Sequence, residues 1–327
     1  MNHHKTHRKQ NYHFKKHSTT TKRRFKSLNC HPSLNKNRTK VLDHSCLTSE
    51  ALIVLKNTFN KHNPNKKIET TEPKEIWNHL YQKIPECDKE TCWLNSIPDK
   101  RIEHKLKKEL FTPFQPSDWK QNKNAWLSNF DIEAVLKQYQ QTYSPKFISL
   151  GPTPIDFDTK KTNGQCVWNE LCQLSLPTQY NKGVRKIGII YNLDTHHGSG
   201  THWVSMFIEL PDEDDKNNKP FIFYFNSTSQ RMPKEIKRFI QRIQKQWMEF
   251  KGIHLSVYKN NKMQHQRTNS ECGMYSLFFV ITCLTRKTDL MPETQLNTKD
   301  LVDLFAGKHR IDDKYVAKFR DIYFNQS

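Results

Sequence analysis

At 327 residues, with a net charge of +20 and 35% hydrophobic residues, the chain is long enough for one large or two modest domains but too polar to lie wholly in a core. No apolar run approaches the roughly 20 residues of a membrane-spanning helix, and the N-terminus lacks the hydrophobic stretch of a secretory signal, so neither a span nor secretion is expected. Twelve Lys and Arg and six His fall in the first forty residues, and the first acid is Asp43. Such a block cannot bury enough apolar surface to fold alone, so residues 1–44 are expected to form a disordered basic arm. It would serve as a solubilising tail, a nuclear-import signal, a substrate-docking tail, or a non-specific tether to DNA or RNA through phosphate contacts.

After the arm, Ser45 to Pro64 opens with capping residues and carries Leu52, Leu55 and Phe59 at helical spacing. A second helical stretch, EPKEIWNHLYQKI, stops near Pro85, and a third, strongly charged, runs from about Asp99 to Leu110. Residues 45–118 therefore read as a helical arm domain, and residues 119–327 as an α+β domain. In the latter, a helix from about Phe130 to Tyr143 precedes a loop containing GPTPID. Strands follow near Lys186 to Asn192, His202 to Leu210 and Pro220 to Asn226. The alternation of Val204, Met206 and Ile208 with Ser205 and Glu209 fits a half-buried strand. Pro211 to Lys219 reads as a solvated hairpin loop without the Gly and terminal Glu of a calcium loop. The helix after Pro233 shows one apolar stripe, Ile236, Phe239, Ile240, Ile243, Trp247 and Phe250. A strand at Ile253 to Tyr258, an apolar helix from about Ser270 to Leu284, and short helices around Leu301 and Tyr315 complete the chain.

Chemistry concentrates in QRTNSECGMYSLFF, Gln266 to Phe279. Cys272 opens an apolar helix, where free backbone N–H groups and the helix dipole favour a thiolate and are expected to lower its pKa. Gly273 leaves room for a substrate carbonyl, and the Gln266 amide is a candidate donor to an oxyanion. A nucleophilic cysteine needs a base and a group that orients it. His202 at the start of one strand and Asn226 at the end of the next meet at one sheet edge if the strands are antiparallel neighbours. Asp194 and Asp156 are rival orienters. The eight cysteines, in a chain without a secretion signal, are expected to be reduced thiols. The spacings of Cys87 with Cys92 and of Cys166 with Cys172 are unlike zinc modules, and His196 and His197 read as a loop beside the site rather than a metal centre.

The order His-Trp, an amide after an aromatic strand, then Gln-x5-Cys-Gly resembles the ubiquitin-like-protein-specific cysteine proteases, the clan of the SUMO proteases and the adenovirus protease. AWLSNFDIEAVLKQY resembles the family's Trp-Leu-Asn-Asp segment, so the likeness covers roughly residues 120 to 327. Asn226 in place of Asp, GPTPIDF (Gly151 to Phe157) and KETCWLNSI (Lys89 to Ile97) make the chain most similar to the polyprotein-processing proteases of large DNA viruses such as African swine fever virus. The resemblance implies an α+β core, a central mixed sheet flanked by helices. It implies His202 as base and acid, Asn226 as its orienter, Cys272 as nucleophile and Gln266 as oxyanion donor. It also implies Trp126 and Trp203 as walls of a tunnel narrow enough to select Gly-Gly or Gly-x-Gly.

A viral endopeptidase that matures structural polyproteins in the virion and the host cytoplasm is thus expected, with the nucleus an alternative suggested by the basic arm. Its substrates would be polypeptides with Gly-rich cleavage sites. An isopeptidase acting on SUMO or ubiquitin conjugates is the alternative, and an inert nucleic-acid-binding virion component a third. No metal or organic cofactor is required by this chemistry; DNA would enter only as activator or tether.

Overall fold

In the computed structural model, the described residues are 25–212 and 219–326. Residues 1–24, most of the expected basic arm, and residues 213–218 of the expected hairpin loop lie outside them.

The first part of the chain is helical: α1 (Pro32–Asn37), α2 (Ser49–His62), α3 (Pro73–Lys83), α4 (Glu90–Leu94) and α5 (Lys100–Leu110). Thr48 and Asp99 cap α2 and α5 with side-chain oxygens, as sequence caps should. The helices close over their own apolar cluster, which includes Leu34, Leu52, Leu55, Trp77, Trp93 and Phe111. The expectation of disorder up to residue 44 is corrected for residues 25–44. Leu34 is buried in this cluster, Phe25 packs on Trp77 and Trp93, and Cys30 is disulfide-bonded to Cys46. A few apolar anchors and a covalent tie outweigh the charge density there.

The second part begins with α6 (Asn129–Tyr143), started by a reciprocal capping box between Ser128 and Asp131. It leads into β1 (Phe147–Pro154), α7 (Asn169–Cys172), α8 (Leu176–Asn181), β2 (Lys186–Asn192), β3 (Trp203–Glu209), β4 (Phe221–Phe225), α9 (Lys234–Lys251), β5 (Ser256–Lys259) and α10 (Cys272–Thr285). The chain then passes through α11 (Thr298–Ala306), α12 (Asp313–Ala317) and α13 (Arg320–Tyr323). The five strands form one mixed sheet in the order β1-β2-β3-β4-β5, with β2–β3 and β3–β4 antiparallel and both outer pairings parallel. The α+β class and the helix-flanked mixed sheet match the expectation.

Two local readings change. The GPTPID segment, expected in a loop, supplies the end of β1, which pairs with β2 across an irregularity between Leu150 and Thr153. Pro and Gly there reflect a bulged edge strand rather than a turn. β3, expected to be half-buried, is buried on both faces. Phe207, Phe223 and Phe225 pack on the α10 side, while Val204, Met206, Ile208 and Ile222 pack on the α9 side. The sheet is the middle of three layers, so polar-looking Ser205 and Glu209 are enclosed, Glu209 by an ion pair with Arg286.

Six cysteines expected as thiols form disulfides: Cys30–Cys46, Cys87–Cys92 and Cys166–Cys172, with Cα separations of 5.1, 5.4 and 6.3 Å. Folding brings each pair within bridging distance, which spacing alone did not disclose. Cys272 and Cys283 are free and buried. Among the described residues no group of three or more His, Cys, Asp or Glu is placed to hold a metal, and no helix is long and apolar enough to cross a membrane.

The two parts are stitched by the C-terminal segment. Asn325 Oδ1 accepts the Asn29 N–H at 2.7 Å, and its Nδ2 donates to the carbonyls of Asn29 (2.9 Å) and Thr112 (3.3 Å). Its own N–H and carbonyl bond to Pro113 and Gln115.

Candidate active site

The site forms where β3 begins, β4 ends and α10 starts. Antiparallel register sets Ser205 opposite Phe225, so His202 just before β3 and Asn226 just after β4 fall side by side. His202 Nε2 lies 2.9 Å from Asn226 Oδ1. That oxygen also accepts the Thr228 N–H (3.0 Å) and hydroxyl (2.8 Å). A backbone donor identifies the Asn atom as oxygen, so the imidazole must be the donor at Nε2, and Nδ1 is left bare as the basic nitrogen. The rival carboxylates are engaged elsewhere. Asp156 holds His196 at 2.6 Å, and Asp194 accepts the N–H groups of Thr195 and Gly200. His196 and His197 lie ring against ring at 3.7 Å in the loop beside the cleft.

Cys272 is the first residue of α10, a helix whose next twelve residues are all buried. Its thiol meets the backbone N–H of Trp203, the residue bonded to His202, together with those of Gly273 and of Cys272 itself. Burial nevertheless pushes the thiol up, ahead of those N–H groups that pull it down, and the Glu271 charge adds to the rise. Burial likewise lowers the His202 imidazole, against the Asn226 hydrogen bond that raises it. The expectation of a lowered thiol pKa is thereby corrected: desolvation outweighs the helix terminus.

Gln266 is buried beneath the same corner. Its Oε1 accepts the Ser227 hydroxyl at 2.7 Å and its Nε2 donates to the Thr268 carbonyl at 2.7 Å, leaving a second N–H without a partner among the described residues. The main chain at Gln266 is fastened to the Ser227 carbonyl at 2.9 Å, so the residue after Asn226 carries the segment that leads to Cys272. Sequence reasoning missed this link. It also missed Glu271 and Arg320, whose buried ion pair lies directly before the cysteine.

Trp126 and Trp203 line one cleft of about 560 Å³, with Leu127, Pro152, Trp168 and Asp194 among its walls. They differ in role: Trp126 is 48% exposed, whereas Trp203 is buried and donates its indole N–H to the Leu127 carbonyl at 3.1 Å. Gly273 lets these walls close on the helix, because a Cβ there would stand 3.1 Å from Leu127 Cβ and 3.3 Å from Trp203 Cδ1.

A thiol at a helix start, met by the N–H of the residue that follows an amide-held imidazole, is the arrangement a cysteine protease uses. The comparisons narrow the class. Residues 184–317 match the Ulp1 protease family, C-terminal catalytic domain. It is 29% identical over 176 residues to a thiol protease of Acanthamoeba polyphaga mimivirus, covering 54% of this chain and 53% of that one. The chain therefore spans about half the length of that relative. It is 27% identical over 204 residues to the SUMO-1 cysteine protease of African swine fever virus, covering 59% of this chain and 72% of that one. The crystal structure of the African swine fever virus protease superposes with a TM-score of 0.60 at 20% identity, over 91% of this chain and 96% of that one, which shows a shared fold.

Proposed function

We propose that this chain is a viral endopeptidase that cleaves structural polyproteins after Gly-Gly-type motifs during virion maturation. The observation that carries the catalytic part is the His202–Asn226 contact at 2.9 Å, which leaves Nδ1 bare next to the peptide group that touches Cys272. The cleft between Trp126 and the Leu127–Trp203 wall supports selection for residues without side chains at the scissile bond.

In this reading His202 Nδ1 takes the Cys272 proton as sulfur attacks the carbonyl carbon of the P1 Gly. The Cys272 N–H and the free N–H of Gln266 hold the oxyanion. Collapse expels the amine, protonated by His202, and leaves a thioester. Water, deprotonated by His202, then releases the carboxylate and restores the thiol. With burial pushing the thiol up and the imidazole down, this proton moves during attack, and a neutral amide suffices to keep the imidazole in its tautomer.

The basic residues near the N-terminus are read as a tether to packaged nucleic acid, which would place the enzyme in virions and at cytoplasmic sites of assembly. The test pairs the protein with its Cys272→Ala variant on Gly-Gly-X peptides and on SUMO and ubiquitin fusions, with and without DNA, followed by mass spectrometry. Cleavage of peptides by the intact cysteine alone is the expected result. Cleavage confined to fusions would replace this reading with a deconjugating one, and stimulation by DNA would support the tether. Gln266→Ala should slow turnover by about 100- to 1000-fold while alkylation of Cys272 persists; normal turnover would remove Gln266 from the oxyanion site.

A further inference from the structure

Arg320, on the short C-terminal helix α13, is buried and reaches the site from behind the cysteine. Its Nε and Nη2 hold the Glu271 carboxylate at 3.0 and 3.1 Å. Its Nη1 donates to the Ala125 carbonyl at 3.0 Å, Nη2 also meets the Ser270 carbonyl at 3.4 Å, and the guanidinium lies 4.4 Å from the centre of the Trp119 ring. Glu271 immediately precedes Cys272, and its carbonyl accepts the Tyr275 N–H at 2.8 Å in the first turn of α10. Ala125 immediately precedes Trp126 and the Leu127 carbonyl that holds Trp203. One planar fork thus spans the backbone that presents the thiol and the backbone that leads to Trp126 and Leu127 in the cleft lining.

The charge matters as much as the reach. A buried carboxylate one residue from a thiol opposes thiolate formation, and only a paired, hydrogen-bonded cation cancels it at that depth. Glu271, on the segment of Cys272 itself, is the ionisable group whose charge acts on the thiol; His202 adjoins the Trp203 N–H that meets it, and Arg320 acts through Glu271. Arg310 and Asp313 face Tyr275, one turn further along.

We propose that Arg320 is a positioning residue for the peptidase reaction. Through Glu271 it neutralises the carboxylate beside Cys272, and through the Ala125 carbonyl it holds the Trp126 wall in register with the thiol. This rests on the reading of Cys272 as nucleophile and adds a residue whose contribution is transmitted rather than direct.

The test reads two quantities: the pH midpoint for alkylation of Cys272 by iodoacetamide, with Cys272→Ala as the blank for Cys283, and the split of kcat from KM on a Gly-Gly-X peptide. Arg320→Met should raise the midpoint by about one unit, slowing alkylation about tenfold at a fixed pH below it, and should raise KM. Glu271→Gln, which leaves the cation, should shift the midpoint the other way. The double variant Glu271→Gln with Arg320→Met should return the midpoint to that of the parent while KM stays raised, because the Ala125 tether is still missing. Arg320→Lys should keep the midpoint but not the KM, since an ammonium lacks the fork. If both single variants move the midpoint in the same direction, or if the double variant fails to restore it, the pair is packing only and the proposal falls. Should Arg320→Met not fold, the opposite shift in Glu271→Gln still decides. A parent protein that alkylates normally but cleaves no Gly-Gly peptide would count against the endopeptidase reading, while the midpoints would still judge this one.

Discussion

Replacing Gly273 with Ala adds one methyl group at a tight contact beside the cysteine. The new Cβ would stand 3.1 Å from Leu127 Cβ, 3.2 Å from Leu127 Cδ1 and 3.3 Å from Trp203 Cδ1. Leu127 Cβ moves only with its backbone, and Trp203 is tied to that backbone through its indole N–H, so neither neighbour yields independently. Overpacking of this kind costs about 1–3 kcal/mol, against which exchanging Gly for Ala inside a helix returns at most about 1 kcal/mol. A net loss of about 1–2 kcal/mol should appear as a lower urea midpoint. Turnover should suffer more, because the added methyl pushes the cleft wall away from the thiol; a fall of about 10- to 100-fold in kcat/KM on a Gly-Gly peptide is expected. Gly188→Ala is the control. Its Cβ would meet Val280 Cγ1 at 2.6 Å and the Phe147 ring at 3.2 Å, deep in the sheet–α10 packing and away from the cleft. It should lose stability with kcat/KM of the folded fraction intact. Unchanged kcat/KM and an unchanged urea midpoint for Gly273→Ala would refute the reasoning that this contact sets the wall.

Three further outcomes are expected. Burial lowers the His202 imidazole, and the base must be neutral to act, so the acid limb of kcat/KM should lie below the ordinary imidazole value of about 6.5; Asn226→Asp should move that limb upward, and an unmoved limb would show that residue 226 does not face the base. His265 is wholly buried, accepts the Ile311 N–H at Nδ1 and donates from Nε2 to the Phe305 carbonyl, each at 3.0 Å, and its pKa is lowered by burial. The unfolded chain therefore binds more protons below pH ~6.5, and stability should fall as pH drops from 7.5 to 5.5; a flat series of urea midpoints would contradict this. Removing the Cys30–Cys46 bridge, which closes a sequence separation of 16, should cost about 3 kcal/mol in the N-terminal helical part while leaving Cys272 alkylation intact, and a paired Cys→Ser variant in a urea titration checks it.

What the sequence disclosed followed the strength of local signals. The long apolar run after Cys272, the stripe of α9 and the aromatic β4 each carry a period or composition that leaves little choice, and the structure forms all three. The pairing of His202 with Asn226 was legible because two antiparallel strands bring one strand's start to the other's end. β1 was not legible: its Gly-Pro-Thr-Pro run carries turn chemistry, and only pairing with β2 makes it a strand. The disulfides were missed because contact between cysteines is decided by tertiary folding. The upward push on the thiol escaped for a similar reason, since a helix start is visible in sequence but the depth of its burial is not. Arg320 was hidden by distance along the chain, its partners being at residues 125, 270 and 271.

The clamp at Asn325 has a consequence in time. Asn29 and Asn325 are 296 positions apart, and the ion pair behind the cysteine needs Arg320. A ribosome that has just made residue 272 has supplied His202, Asn226, Gln266 and the thiol, yet the scaffold that aligns them still lacks its closing piece. Contacts between such distant positions form late. Nascent chains should therefore stay silent as peptidases until residues 320–325 emerge, so that activity begins only after synthesis has passed that point.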